Sequence, residues 1–266
     1  MPSESDWIKN MKVNILETKN NLIKWIREWF EKNGNDETIA VLGISGGKDS
    51  TICAALLKEA LGKDRVLGVL MPNNVQSDIH DSKAVVDHLG IKSIVVNIGS
   101  TYNSLTTEIK EKLTDSQMNS ELSSQYKTNT PSRLRMVTLY GVGAILGNTR
   151  ICNTGNLSEA MIGYTTLYGD FAGDFALINK LTKSEVVQIG DVLDLPKYLV
   201  HKAPGDGMSG KTDEDNIGFT YDELDAYIRN GEKGPNFEMI EKRIKSMEFK
   251  RKVLNLPSFD QIVEEK

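Results

Sequence analysis

A polar segment rich in glycine stands between two apolar segments in the first quarter of the chain. The segment Ser45-Gly46-Gly47-Lys48-Asp49-Ser50 follows the β-branched run TIAVLGI (38–44) and precedes the helical pattern TICAALLKEALG (51–62). This order predicts a strand, a glycine loop and a helix. Such a loop lies where a helix begins, and the free backbone N–H groups at a helix amino terminus attract anions. The sequence therefore predicts an α/β fold with a phosphate-binding loop at residues 45–50.

The residue types in this loop indicate nucleotide chemistry that involves a metal ion. The spacing differs from that of a Walker A loop because Asp49 stands between Lys48 and Ser50. Glycines allow the backbone to approach a phosphate closely, and the hydroxyls of Ser45 and Ser50 add hydrogen-bond donors. Asp49 would repel a phosphate unless a divalent cation lay between them, so its presence predicts Mg²⁺. The alternative, a tight turn with Ser and Asp caps, explains one cap but not the whole set of residue types.

The alternation of strand and helix continues after the loop. Apolar strand patterns at 65–71, 91–98 and 150–153 are separated by helical patterns at 78–89, 101–113 and 132–146. Strands that are apolar throughout and alternate with helices are typical of a doubly wound parallel sheet with helices on both faces. We therefore expect a single α/β domain over residues 1–266.

The remaining segments are assigned from their patterns. Helices are predicted at 5–32, 183–194, 221–230 and 236–252, and loops at 114–130, 154–181 and 201–219. Two of these helices begin with capping boxes, Thr182-x-x-Glu185 and Thr220-x-x-Glu223. The 201–219 segment is long, polar and glycine-rich, which predicts a lid over the binding site.

Composition and charge exclude several classes of protein. The 266 residues carry 32 Lys and Arg against 37 Asp and Glu, a net charge of -5, which disfavours nonspecific binding to nucleic acid. No apolar run approaches the roughly 18 residues of a membrane span, and the amino terminus does not resemble a signal peptide. Cys53 and Cys152 are too far apart for a paired zinc or disulfide motif. We expect a cytoplasmic protein without a nucleic-acid or membrane partner.

The loop sequence resembles the SGGxDS pyrophosphate loop of the N-type ATP pyrophosphatases. From about residue 20 to residue 258 the chain resembles one branch of that superfamily, the ammonia-dependent NAD synthetases. The matching segments are MPNNVQSD (71–78), SRLRMVTLY (132–140), TGNLSE (154–159), GYTTLYGDFAGD (163–174), LTKSEV (181–186), GKTDEDNIGFTYDELDAYI (210–228) and FKRKVLNLP (249–257). The resemblance implies a three-layer Rossmann-like fold of the adenine nucleotide alpha hydrolase-like type.

The resemblance also implies a role for each matching residue. It assigns ATP binding to Gly43, Ile44, Ser45, Gly46, Gly47, Lys48, Asp49, Ser50, Gln76, Thr154, Lys183 and Gly205. It assigns Mg²⁺ to Asp49 and Glu159, deamido-NAD to Arg133, Asp174 and Lys250, and catalysis to Asp170, Lys183 and Asp49.

Three positions depart from the family pattern. Leu167 replaces a Lys, Gly205 replaces a Ser or Thr, and Phe249 replaces a His. None of these positions lies in the pyrophosphate loop or among the carboxylates proposed for Mg²⁺. The departures concern recognition of the dinucleotide more than the activation chemistry.

The activity implied is ATP-dependent amidation of deamido-NAD with ammonia, giving NAD, AMP and pyrophosphate through an adenylated intermediate. The resemblance implies a homodimer, and the chain length leaves no room for an attached glutaminase. The alternatives are another amidating or thiolating enzyme with the same loop, similar to GMP synthetase or a tRNA-thiolating enzyme, and a nucleotide sensor without catalysis. Residue by residue, Glu159 could belong to a first helical turn, Asp170 and Asp174 to Asx turns, and Lys250 to a solvated basic face.

Overall fold

A computed structural model describes residues 12–76, 79–201, 212–253 and 258–264. Its centre is a sheet of five strands: β1 (Ile39–Gly43), β2 (Val66–Leu70), β3 (Lys92–Val95), β4 (Thr149–Asn153) and β5 (Phe175–Ala176). Every pairing is parallel, and the order across the sheet is β3-β2-β1-β4-β5. From β1 the chain adds β2 and β3 on one side, and it then crosses over to add β4 and β5 on the other side of β1. The carboxyl ends of β1 and β4 therefore flank the point where the winding reverses, which is where open α/β sheets bind their ligands.

Twelve α-helices accompany the sheet in the described residues. They are α1 (Ile15–Asn33), α2 (Lys48–Leu61), α3 (Ile79–Leu89), α4 (Gly99–Asp115), α5 (Ser124–Leu146), α6 (Leu157–Met161), α7 (Lys183–Val192), α8 (Lys197–Val200), α9 (Asp213–Ile217), α10 (Tyr221–Asn230), α11 (Phe237–Ser246) and α12 (Glu248–Val253). None of these helices is long and apolar enough to cross a membrane.

Both faces of the sheet are covered, which confirms the predicted doubly wound architecture. Ala40 and Leu42 point to a large core cluster that includes residues of α1, α2, α3 and α7. Val41, on the opposite face of β1, packs with Val69 and Ile151 against partly buried residues of α5. The alternation along β1 follows from the period of two in a strand, so one apolar run supplies both layers.

A second, smaller core lies beside the carboxyl edge of the sheet. It joins α6 to the helices near the carboxyl terminus through Ile162, Phe219, Leu224 and Ile240. Both predicted capping boxes are present, at the starts of α7 and α10. They fix where these two helices begin, and α7 begins at Lys183.

Three segments that were predicted as loops also contain helices or a strand. The 154–181 segment is not only loop, because it contains α6 and the short fifth strand β5. The predicted loop at 114–130 ends at Ser123, since Ser123 caps α5 and Pro131 lies inside that helix. Within the predicted loop at 201–219, residues Asp213–Ile217 form α9, which begins with its own capping box at Thr212.

Other predicted elements differ in extent or in burial. The first helix begins at Ile15, where the side chain of Asn14 caps it, and the predicted residues 5–11 lie outside the described ranges. The helix predicted at 236–252 is two helices that meet at Met247. β3 was predicted as a buried strand, but all four of its residues are exposed because it is the edge strand of the sheet.

Candidate functional site

A cavity of about 610 Å³ lies at the carboxyl ends of β1 and β4. The loop between β1 and α2 forms its floor, with Ser45, Lys48 and Asp49 among the lining residues. The segment that follows β4 contributes Thr154 and Glu159 to its wall. The reversal of the winding therefore brings together two segments that are far apart in the sequence.

The loop after β1 is held in shape by its own hydroxyl groups. Gly47 N donates to Ser45 Oγ at 3.1 Å, and Ser50 Oγ donates to Gly47 O at 3.1 Å. Gly46 has a φ of +79°, and a Cβ there would lie 2.7 Å from the Cβ of Asp81 and 2.8 Å from the backbone nitrogen of Ser82. This position therefore requires glycine both for its backbone conformation and for its closeness to α3.

Two lysines bring positive charge to the cavity from the first positions of two helices. Lys48 is the first residue of α2, and burial lowers its pKa. Lys183 is the first residue of α7, and its side chain is only 6% exposed. Its ammonium lies 3.2 Å from Asp213 Oδ2 and 3.7 Å from Glu159 Oε1. Backbone N–H groups at the same helix starts add to this positive field.

Two carboxylates face the lysines. Burial and the neighbouring charge of Asp49 raise the pKa of Glu159 to about 8, although the charge of Lys183 opposes the shift. Asn156 connects the pair, because its Nδ2 donates to Asp49 Oδ1 at 3.3 Å while its Oδ1 accepts from Glu159 N at 3.0 Å. A buried carboxylate whose pKa is raised by a neighbouring carboxylate is suited to share a cation with that neighbour.

The polar groups of this cavity can bind a polyphosphate, hold a divalent cation and stabilise negative charge as it leaves. A model of the NAD synthase family matches residues 18–258. The chain belongs to the NAD synthase family. The family assignment confirms the predicted activity, ATP-dependent amidation of deamido-NAD to NAD by a ligase that forms a carbon–nitrogen bond.

Individual proteins agree with this assignment to the NAD synthase family. The chain is 36% identical to the NH(3)-dependent NAD(+) synthetase of Carboxydothermus hydrogenoformans, over 93% of this chain and 99% of that protein. Among solved structures, NMN synthetase from Francisella tularensis matches with a TM-score of 0.79 and 29% identity, covering 93% of this chain and 100% of that one. The NH3-dependent NAD synthetase from Campylobacter jejuni matches with a TM-score of 0.71 and 25% identity, covering 92% and 99%.

Most residues predicted from the NAD synthase resemblance for ATP and the metal line the cavity. They are Gly43, Ile44, Ser45, Gly47, Lys48, Asp49, Ser50, Gln76, Thr154, Glu159 and Lys183. The side chain of Ile44 is buried in the core, so its predicted contact with ATP would have to come from its backbone. Gly205 and residues 202–211 of the predicted lid lie outside the described residues.

The residues predicted for deamido-NAD surround the 163–174 loop. Arg133 Nε donates to Leu167 O at 3.2 Å, and Lys250 Nζ donates to Gly163 O at 2.7 Å and to Thr165 O at 2.6 Å. Leu167, the residue that replaces the usual lysine, thus accepts a hydrogen bond from Arg133 through its carbonyl oxygen. In this geometry both cations brace the loop, and their contact with a dinucleotide stays a prediction.

The two aspartates of the 163–174 loop differ in their surroundings. Asp170 lines the cavity, and its Oδ1 accepts hydrogen bonds from Thr166 N at 2.7 Å and Ser132 Oγ at 2.8 Å. Asp174 lies behind the cavity wall, where it accepts from Ile151 N at 2.7 Å and from Tyr140 Oη at 3.2 Å. Asp170 is therefore the one that faces the cavity, and its predicted role in ammonia chemistry stays a prediction.

Sequence reasoning missed several residues of the site. Asp213 and Tyr140 line the cavity, and Asp213 holds the Lys183 ammonium. Burial and the neighbouring Asp174 raise the pKa of the Tyr140 hydroxyl to about 12. Asn156 was overlooked in the TGNLSE motif, in which only Thr154 and Glu159 were given roles. Asn followed three residues later by Glu is a capping-box pattern, and it could have identified Asn156 as the residue that orients Glu159.

Proposed function

We propose that this cavity binds the triphosphate of ATP over residues 45–50 and directs its α-phosphate to the nicotinate carboxylate. A carboxylate is a poor electrophile because its leaving group would be an oxide. Attack of the carboxylate oxygen on the α-phosphorus forms an acyl adenylate and breaks the bond to pyrophosphate. Lys48 and Lys183 stand where they can stabilise the charge on the departing pyrophosphate. The main support for this proposal is that these two lysines lie in one cavity with Asp49 and Glu159.

We also propose that Asp49 and Glu159 hold Mg²⁺ together with phosphate oxygens. Mg²⁺ is commonly bound by one or two carboxylates plus the phosphates of its nucleotide. Within the described ranges, no group of three or more His, Cys, Asp or Glu side chains is placed to hold a metal ion. Two carboxylates fit a cation that binds with ATP rather than before it. When bound, Mg²⁺ would neutralise negative charge on the phosphates.

The second half of the reaction requires ammonia in its neutral form. Ammonia attacks the acyl carbon, the bond to AMP breaks, and the nitrogen loses a proton. Asp170, which faces the cavity beside Ser132, is proposed to bind ammonium and accept the proton whose loss gives neutral ammonia, while the proton lost after the attack passes to solvent. Free ammonia as the nitrogen source is supported by the NH(3)-dependent relative, which this chain matches nearly from end to end. The activity requires ATP, and we place the protein in the cytoplasm.

One experiment tests the reaction as a whole. The purified chain is incubated with ATP, Mg²⁺, deamido-NAD and ammonium, and NAD, AMP and pyrophosphate are measured. The proposal requires all three products in equal amounts. Binding of ATP without release of pyrophosphate would instead indicate a nucleotide sensor, and turnover of another acceptor would indicate a different ligase of the superfamily.

A second candidate substrate is the mononucleotide that carries the same nicotinate carboxylate. The observation that favours it is the match to the NMN synthetase of Francisella tularensis over nearly the whole of both chains. Because the reacting group is the same, only kcat/KM for the two substrates separates the candidates. A higher value for deamido-NAD supports NAD formation, and a higher value for nicotinate mononucleotide supports NMN formation.

We propose that two copies of the chain form a homodimer through the α4 and α5 side of the sheet. α5 has 23 residues, of which only Pro131 and Gly143 are buried. Val137 and Ile145 are 58% and 87% exposed and stand eight residues apart, so they share one face of this helix. Leu139 of the same helix instead packs on the core and lines the cavity.

The oligomeric state is measured by light scattering. Ile145→Glu is expected to give monomers, because it places a charge in the proposed apolar interface. Leu16→Glu is the matched control, since Leu16 is 60% exposed on α1. A monomeric wild-type chain with full activity would contradict the proposal.

A further inference from the structure

Asp225 of α10 is a buried carboxylate that serves two other helices. It is 6% exposed and accepts hydrogen bonds from Ser184 N at 2.8 Å and Ser184 Oγ at 2.6 Å. It also accepts a short hydrogen bond from Ser158 Oγ. Ser184 belongs to α7 and Ser158 belongs to α6, so one carboxylate connects three elements.

These contacts complete the amino terminus of α7. Ser158 Oγ accepts from Lys183 N at 2.9 Å, while Asp225 accepts from the next amide, that of Ser184. Free N–H groups at a helix start need acceptors, and a negative charge is stabilised there by the helix dipole. Asp225 and Ser158 therefore fix the backbone from which the side chain of Lys183 departs.

The same face of α10 contacts the other end of Lys183. Tyr221 lies one helical turn before Asp225, and its ring centre is 3.5 Å from Lys183 Nζ. An ammonium over an aromatic face is attracted by the ring. The Tyr221 side chain is buried, and among the described residues its hydroxyl has no hydrogen-bond partner, so the ring rather than the hydroxyl makes the contact.

We infer that Asp225 and Tyr221 are positioning residues for the amidation reaction, a pair that we name the α10 clamp. The clamp holds Lys183 at its backbone and at its ammonium, in the place where it meets the leaving pyrophosphate. Because Ser158 precedes Glu159, the clamp also fixes the helix that carries one proposed metal ligand. This inference rests on the role of Lys183 given under Proposed function.

If Asp225 only stabilised the packing of α10 on α7, its replacement would lower the stability without slowing the reaction. Another contact between the same two helices provides the comparison. Arg229 Nε and its terminal nitrogen donate to the two carboxylate oxygens of Glu185, each at 2.6 Å. This ion pair joins the same helices, α10 and α7, through the Glu185 that caps Thr182, but it makes no hydrogen bond to the Lys183 backbone or ammonium. Arg229→Gln therefore weakens the helix pair and serves as the control for stability.

The experiment compares Asp225→Asn, Tyr221→Leu and Arg229→Gln for pyrophosphate release in a single turnover, for steady-state kcat and KM, and for thermal unfolding. Asp225→Asn is expected to slow pyrophosphate release about 10- to 100-fold, the range seen when a partner of a functional ligand is removed. The KM of the nicotinate substrate stays within about twofold, because the clamp acts on the phosphate side. Arg229→Gln lowers the unfolding temperature but leaves the rate within about twofold below that temperature.

Two further variants keep the test decisive. Tyr221→Phe, which keeps the ring, is expected to restore most of the rate lost in Tyr221→Leu. Ser158→Ala removes only the link between Asp225 and Lys183 N. If Asp225→Asn failed to fold, slower release of pyrophosphate by Ser158→Ala would still support the clamp, and an unchanged rate would contradict it. In a Lys183→Ala background, Asp225→Asn should slow the reaction no further, since residues that act as one unit are not additive.

The outcomes distinguish a failure of the proposed role of Lys183 from a failure of the clamp alone. Full activity of Lys183→Ala would refute the proposed role of this lysine, and the clamp with it. An inactive Lys183→Ala with a fully active Asp225→Asn would leave the function standing and overturn the clamp alone. Multiplication of the two effects in the double variant would also overturn it, because that is the behaviour of independent sites.

Discussion

The Glu159 carboxylate is held in the folded chain at a cost in stability, and its replacement by glutamine reveals that cost. Burial is the main cause, and the charge of Asp49 adds to it. Glutamine keeps the shape of the side chain but cannot ionise. We therefore expect Glu159→Gln to abolish Mg²⁺-dependent activity while making the ligand-free chain more stable than the wild type.

The pKa of Glu159 gives the size and the sign of this effect. Its pKa is raised from 4.5 to about 8 in the folded chain. The folded state therefore binds the proton more tightly than the unfolded state, so the wild-type free energy of unfolding falls as pH rises from about 4.5 to about 8. Each pH unit in this window is worth about 1.4 kcal/mol, which gives a cost of about 3 kcal/mol at pH 7. For a domain of this size the variant should unfold about 6 °C higher at neutral pH.

Thermal unfolding is measured without ATP and Mg²⁺ at pH 5, 6, 7 and 8. The advantage of Glu159→Gln should be small at pH 5 and should grow through the series. Glu223→Gln is the matched control with the opposite sign. Hydrogen bonds from the Thr220 backbone and Asn236 lower the Glu223 pKa, so this carboxylate stabilises the fold above its ordinary pKa and the variant loses stability there. A Glu159→Gln variant whose advantage did not change with pH would refute the reasoning.

Three further variants test other parts of the molecule. Gly46→Ala should weaken ATP binding about tenfold by calorimetry, because strain of about 1 to 2 kcal/mol is needed to keep the loop against Asp81; unchanged affinity would show that the loop does not need this conformation. Asn156→Ala should cost about 1 kcal/mol in urea unfolding through the lost cap, and it should raise the Mg²⁺ concentration for half-maximal rate because Asp49 loses a partner; an unchanged Mg²⁺ requirement would count against this role. Phe259→Ala should cost about 3 to 5 kcal/mol in urea, since this ring is fully buried; a loss below 1 kcal/mol would contradict its place in the core.

The sequence could predict the half of the fold that is encoded locally. The run around Val41 is apolar at every position because β1 is covered on both faces, and this pattern is visible without a structure. The capping boxes at Thr182 and Thr220 fixed two helix starts to the residue. These features depend on neighbours within four positions, so pattern analysis can read them.

What the sequence could not predict depends on distant contacts. β5 consists of Phe175 and Ala176 alone, and nothing in two residues distinguishes a strand from a loop until β4 is beside them. The exposure of β3 was equally hidden, because its apolar residues suggest burial whereas its edge position decides the exposure. The helix that was predicted to begin at residue 132 begins at Ser124 in the structure, and Pro131 lies inside it.

The residues of the site also fall into those that a local sequence pattern identifies and those that only distant contacts identify. Residues in contiguous motifs, such as Lys48 and Glu159, were found because the resemblance covered them segment by segment. Asp225 was not found, although it lies in a matching segment, because its importance comes only from its hydrogen bonds to Ser184 and Ser158. A buried carboxylate on the hidden face of an amphipathic helix has no local pattern that separates it from a surface one.

The pairing of β1 with β4 has a consequence for how the molecule assembles. Ile39 pairs with Thr149, so the two strands can meet only when the long chain segment between them is closed into a loop. Contacts between residues so far apart in sequence close a large loop, and they form slowly. The loop after β1 depends on contacts close in sequence, but the segment that carries Glu159 joins it only when β1 and β4 have paired. Nucleotide binding is thus acquired late in folding, and ATP can stabilise only chains that have completed it.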